Sequence, residues 1–214
     1  MTTTSLFVEL IAVGIMATGW LLLLVAAFEQ TKALDILNKL SETTILWIPA
    51  LILCYVLGIV LDVLIDRLIY HRFEYRIRAT QIAVVLGVSD KDKKNRKLIK
   101  KRIRVIWHHV RTFLWQIKTD ETAREITTYF RHRIRVVRAA SANSFLLGLA
   151  GYIYLTRQGS GIKAGLISLG LGIIFALACV YSWDRMSRAY NRSLFRYYLK
   201  HEENPISLDQ ILSS

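Results

Sequence analysis

The segment from residue 67 to residue 142 decides the fold, because it is a polycation placed between apolar blocks. It begins RLIYHRFEYRIR at residues 67–78, is most basic in DKDKKNRKLIKKRIRVIWHHVR at residues 90–111, and closes with YFRHRIRVVRAAS at residues 129–141. Its 20 Lys and Arg against 6 Asp and Glu give a net charge of +14, whereas the whole 214-residue chain carries +13. Basic loops of membrane proteins stay in the cytoplasm, so this composition predicts the compartment of the segment.

Four apolar segments of membrane-spanning length flank the polycation, two on each side. About 20 helical residues cross the hydrocarbon core of a bilayer, at a rise of about 1.5 Å per residue. The pattern predicts an all-α membrane protein with four transmembrane helices, whose long cytoplasmic helical extensions form a basic helical bundle. The segments run from Leu6 to Phe28, from Ile45 to about Ile65, from Ser141 to near Thr156, and from about Ile162 to Trp183.

The charge pattern also predicts the division into domains and the orientation. We expect a first transmembrane hairpin in residues 1–66, the basic cytoplasmic helical region in 67–142, a second hairpin in 143–184, and a basic C-terminal cytoplasmic helix and tail in 185–214. Residues 29–44 are expected to form a short outer loop, because two Lys and three acidic residues give it a net charge of −1. Four crossings then place both termini in the cytoplasm of a cell whose inner membrane holds the protein.

Three carboxylates of the first hairpin are candidates for a pore or its inner mouth. Glu9 is the one charged residue of the first apolar segment and lies near its end. It is either an acid within reach of the interface or an intramembrane acid that faces a pore or a partner. Asp62 and Asp66 are four residues apart on one helix face, beside Arg67. They are either a carboxylate pair bonded to Arg at the cytoplasmic interface, or a cation-attracting ring at an oligomeric pore.

Residues 90–118 predict an amphipathic helix with a basic side and an apolar seam. Apolar residues recur at spacings of four and three, a period of 3.5 that is typical of helices packed on other helices. We interpret this seam as an oligomer interface. The first half of the helix is crowded with cations, which suit either anionic lipid headgroups or the phosphates of nucleic acid. The seam comprises Ile99, Ile103, Ile106, Val110, Phe113 and Ile117, and the candidate polyanion-binding cations are Lys93, Lys94, Lys97, Lys100, Lys101 and Arg104.

A second group of candidate polyanion-binding residues follows in the next predicted helix. Arg124, Arg131, Arg135 and Arg138 have the spacing 7-4-3, which forms one stripe on a helix that continues into the third apolar segment. In the fourth segment, small residues recur at helical spacing and predict close packing against the third segment. The candidate packing residues are Gly161, Gly165, Ser168 and Gly172.

Motifs of catalysis and metal binding are absent from the sequence. There is no GxxxxGK[ST], GxSxG, HExxH or CxxC pattern, and the adjacent His108 and His109 point about 100° apart on a helix. We therefore expect no cofactor, no metal site and no enzymatic activity.

The layout is similar to that of known bacterial membrane effectors. Ser144 to Trp183, followed by DRMSRAYNRSLFRYYLK, resembles the hairpin and Arg/Tyr-rich helix of SLATT-type effectors of anti-phage systems. The four crossings with a basic cytoplasmic middle look like the membrane subunits of Hailong-type and Kiwa-type defence systems. The resemblance implies a homo-oligomer, a cytosolic nucleic-acid or nucleotide cue, and membrane depolarisation as the output.

Three functional hypotheses follow from these features. The first is an oligomeric inner-membrane channel or pore-forming effector, with a tetramer as the expected ring, gated by nucleic acid or an oligonucleotide on the basic helices. The second is a non-conducting anchor that recruits a soluble cytoplasmic partner protein, which is either acidic or bound to nucleic acid. The third is a membrane protein whose basic helix binds anionic lipids.

The predicted topology can be tested by cysteine accessibility. A single cysteine placed in the 29–44 loop should react from the outer side, and one placed at residue 95 should react from the cytoplasm. Labelling of both positions from the same side would exclude the four-crossing arrangement.

Overall fold

Helices make up nearly all of the described chain. The computed structural model describes residues 3–42, 47–88, 92–116 and 120–202, and these ranges contain no strand. The prediction of an all-helical protein is therefore confirmed. The elements are α1 (Thr3–Phe28), α2 (Gln30–Glu42), α3 (Trp47–Ile65), a π-helical turn (Asp66–Tyr70), α4 (His71–Val85), α5 (Lys93–Gln116), α6 (Glu121–Arg157) and α7 (Ile162–His201).

Four helices of the described residues are long and apolar enough to cross a membrane. The candidate spans are Val8–Phe28, Ile48–Ile65, Arg133–Arg157 and Ile162–His201. Helix α7 has 40 residues, and a helix of that length extends about 60 Å, twice the thickness of a hydrocarbon core of about 30 Å. Much of α7 therefore has to lie outside any single bilayer crossing.

The chain divides into two compact units. Residues 1–67 and 135–183 form the first unit, and residues 68–134 and 184–214 form the second. Each unit contains part of α6 and part of α7.

In the first unit, α1 and α3 approach each other closely through glycine. A Cβ placed on Gly14 would overlap the backbone carbonyl of Cys54, and one on Gly58 would overlap that of Leu10. Glycine at both positions lets the two backbones touch, which is how helices gain van der Waals contact in lipid.

Asn143 bonds α6 to α1 in the same unit. Its side-chain amide accepts a hydrogen bond from Trp20 Nε1 at 3.0 Å and donates one to the carbonyl oxygen of Val13 at 3.3 Å. The side chain of Asn143 is buried, and a buried amide is costly unless it is bonded in this way.

Helices α6 and α7 also pack through small residues. A Cβ on Gly172 would lie 2.6 Å from Gly148 Cα, and Ser168 Oγ donates to the carbonyl oxygen of Gly148 at 3.4 Å. A Cβ on Gly165 would lie 2.9 Å from the ring of Tyr152. Gly161 is different, because nothing lies within 4 Å of its Cβ position and its φ of +88° serves the turn before α7.

Residues 30–42 are helical, and the expectation of a loop there is wrong. Helix α2 buries Ala33 and exposes Lys32, Asp35 and Lys39. Lys39 bonds to Asp35 at 2.9 Å, and that hydrogen bond raises the pKa of the Lys39 ammonium. Such i,i+4 pairs stabilise an exposed helix.

The second unit is a helical bundle with its own apolar core. Residues of α4, of α5 and of the C-terminal part of α7 meet there, and Gly87 reverses the chain after α4 with a φ of +73°. Phe130 and Ile134 of α6 pack against its edge. The buried side chains of the core are Ala79, Ile82, Ala83, Val88, Ile99, Ile103, Ile106, Val110, Phe113, Tyr190, Leu194, Phe195 and Tyr198.

The packing of α6 on α7 predicts a contrast between two glycines of the same helix. Gly172→Ala should lower the free energy of unfolding by about 1–3 kcal/mol, because the new methyl group overlaps the α6 backbone. Gly170→Ala is the matched control: nothing lies within 4 Å of its Cβ position, so it should be neutral or slightly stabilising. Unfolding in detergent, followed by circular dichroism, measures both. Equal stability of the two variants would contradict the packing.

Candidate functional site

Helix α5 has a buried side and a basic side. Ile99, Ile103, Ile106, Val110 and Phe113 are at most 4% exposed. The opposite side is basic. Arg102 is half-buried there, and every other described Lys and Arg side chain between residues 94 and 104 is exposed. The exposed cations are Lys94, Lys97, Lys100, Lys101 and Arg104. The side chain of Lys93 lies outside the described ones.

The burial of the seam corrects its assignment as an oligomer interface. Five of the six seam residues are enclosed in the core of a single chain, against Leu194, Phe195 and Tyr198 of α7. A side chain that is already buried has no surface to offer a neighbouring subunit. The sixth residue, Ile117, lies outside the described residues.

The exposed cations of α5 keep their charge available. Among the described residues, none of these five forms an ion pair. The nearby Asp92 is engaged at the start of α5, where its carboxylate accepts hydrogen bonds from the backbone N–H of Asn95 at 3.1 Å and from Asn95 Nδ2 at 2.5 Å. The face therefore carries a dense positive charge that a solution anion can reach.

Trp107 is not an open stacking platform. The guanidinium of Arg78 lies over its ring at 4.3 Å from the centroid, and Arg78 also bonds to Glu74 at 2.5 Å. One face of the indole is thus covered by a cation from α4.

Within the predicted arginine stripe, Arg138 differs from Arg135 in burial and in its bonding partners. This side chain is buried, and its guanidinium donates to Asp62 at 2.5 Å and to Asp66. Arg135 is one third exposed, and its Nε lies 3.9 Å from Asp62. Arg138 is therefore not a polyanion-binding residue, because both terminal nitrogens of its guanidinium donate to carboxylates within the first unit. The side chains of Arg124 and Arg131 lie outside the described ones.

The same cluster changes the interpretation of the acidic pair. Asp62 and Asp66 face Arg138, with Arg135 next to Asp62, so two negative charges meet two positive charges. A ring of carboxylates attracts cations only if its charge is not neutralised locally. The pair is bonded to Arg, as one of the two sequence interpretations proposed, but the partners come from α6 and the expected Arg67 is not among them.

Sequence reasoning missed this pairing, although a signal was present. Arg138 lies three residues before the third apolar segment, Asp62 and Asp66 lie at the end of the second, and the predicted topology puts both ends at one membrane face. A charge at that depth needs a partner. The π-helical turn, which begins at Asp66, has no comparable sequence signal.

Glu9 lies in the second turn of α1 with a half-buried side chain. It lies six residues after Thr3, the first residue of α1, and more than 50 residues before Asp62 and Asp66 along the chain. Its assignment to a pore stays a prediction.

A hydrogen bond closes the second unit at its edge. The phenol of Tyr197 in α7 donates to the carboxylate of Asp120 at 2.6 Å. Arg192 Nε likewise donates to Gln81 Oε1 of α4 at 3.0 Å. These bonds hold the last turns of α7 against the bundle.

Comparison of the chain with protein-family models, with curated proteins and with solved structures found no match. Within the described residues, no three His, Cys, Asp or Glu side chains are grouped as metal ligands would be.

The ion cluster predicts unequal roles for two arginines of α6. Arg138→Gln should lower the free energy of unfolding by about 3 kcal/mol, because it leaves two carboxylates without their buried partner. Arg135→Gln is the control and should cost less than about 1 kcal/mol, because its contact is long and partly exposed. Unfolding in detergent measures both losses, and Asp62→Asn combined with Arg138→Gln should recover part of the larger one. Equal losses for the two single variants would contradict the cluster.

Proposed function

We propose that the protein is an oligomeric inner-membrane channel or pore-forming effector, gated by a polyanion that binds the exposed face of α5, and that it acts in anti-phage defence. The observation that carries the proposal is this face: Lys94, Lys97, Lys100, Lys101 and Arg104 are exposed together on one helix. The resemblance to SLATT-type, Hailong-type and Kiwa-type membrane proteins supports the defensive role.

The arrangement of α5 favours a large anion over a single counterion. Five exposed cations within 11 residues extend over about 15 Å of helix. That length is comparable to several phosphates of a nucleic-acid strand, and neutralising several phosphates releases their condensed counterions. Nucleic acid or an oligonucleotide is therefore the proposed ligand.

Gating requires that the ligand distinguish two states of the protein. The basic face belongs to a helix whose other side is locked into the second unit, so binding acts on a folded element. Helices α6 and α7 each continue from that unit into a candidate membrane span. A structural change in the second unit can therefore be transmitted along α6 and α7 to the candidate membrane spans.

The conducting path is proposed to form between subunits, with both termini in the cytoplasm. The described apolar segments of one chain carry few charged groups, and those of the Arg138 cluster are paired. Large apolar side chains of α7 are exposed on the single chain, for example Ile167, Ile174 and Phe175. They offer surface to lipid and to neighbouring subunits.

An alternative function is supported by one residue. Val105 is 59% exposed and lies among the cations of α5. An apolar side chain within a basic helix face is typical of helices that rest on anionic membranes. The protein would then bind anionic lipid through α5, with or without conduction.

Oligonucleotide binding to the purified protein tests the proposed function. Replacement of Lys94, Lys97 and Lys101 by Gln should weaken binding at physiological salt and lower the slope of log K against log salt by about 2. The matched control replaces three exposed cations of α7, Arg185, Arg196 and Lys200, by Gln and should leave the slope nearly unchanged.

Equal weakening in the two triple variants would mean that net charge alone is responsible. No binding by the wild-type protein would exclude nucleic acid as the ligand. Planar-bilayer conductance with and without the oligonucleotide separates a gated channel from a non-conducting anchor, and liposomes of anionic lipid test the alternative.

A further inference from the structure

A groove in the second unit lies between α4 and α5. It has a volume of about 280 Å³ and is lined by Arg76, Ala79, Thr80, Ala83 and Lys100. The four α4 residues share one helix face, where the alanines leave room that larger side chains would fill. Sequence reasoning did not single out this place, because its residues belong to two separate helices.

The rim of the groove is cationic. Arg76 and Lys100 are exposed and come from different helices. Among the described residues neither of them pairs with a carboxylate, and no carboxylate lines the groove. The nearest acid along α4, Glu74, is held by Arg78. The two cations are therefore free to converge on one anion.

The floor and walls of the groove are fixed by the fold. Ala79 and Ala83 belong to the buried core of the second unit, together with Ile99 and Ile103 of α5. The hydroxyl of Tyr75 donates to the backbone carbonyl of Lys100 at 2.8 Å, which ties the two helices together beside the groove. The site is preformed and needs little ordering when a ligand binds.

The role of Thr80 follows from its hydrogen bond. Its hydroxyl donates to the backbone carbonyl of Arg76 at 2.9 Å, so its proton is used within α4. Arg76 and Lys100 are therefore the groups that would bind an anion, and Thr80 only forms part of the wall of the groove.

We propose that this groove binds one phosphate ester of nucleotide size, with the phosphate between Arg76 and Lys100 and the carbon skeleton against Ala79 and Ala83. Arginine offers a planar fork that matches phosphate, and lysine adds a mobile point charge. The volume lies just below the range of about 300–1,000 Å³ for small-molecule sites, which suits one nucleotide unit and not a long strand. The inference deepens the proposed function, on which it rests, by giving the polyanion a discrete site for one phosphate next to the open face of α5.

The test uses the full-length protein in phospholipid-free detergent and calorimetric titration with a 5′-phosphorylated trinucleotide. We expect one trinucleotide per chain, and about tenfold weaker binding of the same trinucleotide without its 5′-phosphate. Arg76→Gln and Lys100→Gln should each weaken binding of the phosphorylated form about tenfold. Arg196→Gln is the control and should bind like the wild type, because it removes the same charge from an exposed arginine of α7 that does not line the groove.

A second arm identifies the source of the phosphate. Nanodiscs of phosphatidylcholine with and without phosphatidic acid are titrated with the same variants. If Arg76 and Lys100 govern binding of phosphatidic acid and the trinucleotide does not bind, the site is supported and its ligand is a lipid headgroup. If they govern binding of the trinucleotide, the ligand is a nucleotide.

The result that overturns the proposal is binding of neither probe, or equal binding by the wild type and both Gln variants. The triple Gln variant at Lys94, Lys97 and Lys101 distinguishes failure of the groove proposal from failure of the proposed function. If long oligonucleotides depend on those three lysines while the Arg76 and Lys100 variants bind every probe normally, the groove is refuted and the proposed function stands. If only the Arg76 and Lys100 variants lose binding, the groove is supported and the extended face is not.

Discussion

Arg138 carries a positively charged guanidinium, and the fold removes it almost completely from water. Such a charge costs several kcal/mol unless carboxylates compensate it, and Asp62 and Asp66 do so here. The pairing joins the end of α3 to α6 within the first unit. The pairing also neutralises these charges, so that Asp62, Asp66 and Arg138 are not available to bind an ion from solution. Neither a cation-attracting ring nor an arginine stripe for phosphate can be built from groups that already neutralise one another.

The proposed anion binding rests on the second unit, where α5 carries a dense run of exposed cations. There α5 separates its two roles by helix face, since the Ile99 to Phe113 seam supplies the core and the lysines face outward. The burial of the seam is what makes the basic face rigid. The groove between Arg76 and Lys100 depends on the same core, because Ala79 and Ala83 form part of both.

Local pattern predicted the helices well and their partners poorly. The apolar segment that ends at about Ile65 coincides with the end of α3, and α4 ends just before Gly87, a glycine that supplies positive φ. Hydropathy did not predict the π-helical turn that separates the two helices. Helix α2 was missed because its polar composition outweighed a short amphipathic period that buries Ala33. A seam of period 3.5 has the same appearance whether it packs within a chain or between chains, so its location could not be predicted. The partner of Arg138 depends on tertiary structure, which spacing along one helix does not contain.

Because the α5 seam is buried within one chain, an oligomer would need other contacts between its subunits. Lipid tails are as apolar as leucine, so exposed aliphatic side chains on α7 give no hydrophobic drive for subunits to associate in a bilayer. The glycines that allow close approach are occupied in the first unit, where Gly14 and Gly58 join α1 to α3 and Gly148 and Gly172 join α6 to α7. A ring of subunits would therefore depend on shape-matched contacts of the exposed span faces, or on surfaces of the second unit outside its core. Because repulsion between the basic faces of adjacent subunits opposes a ring, an anion that neutralises them would favour assembly. Ligand binding and oligomerisation are then expected to depend on each other, through the charge of α5.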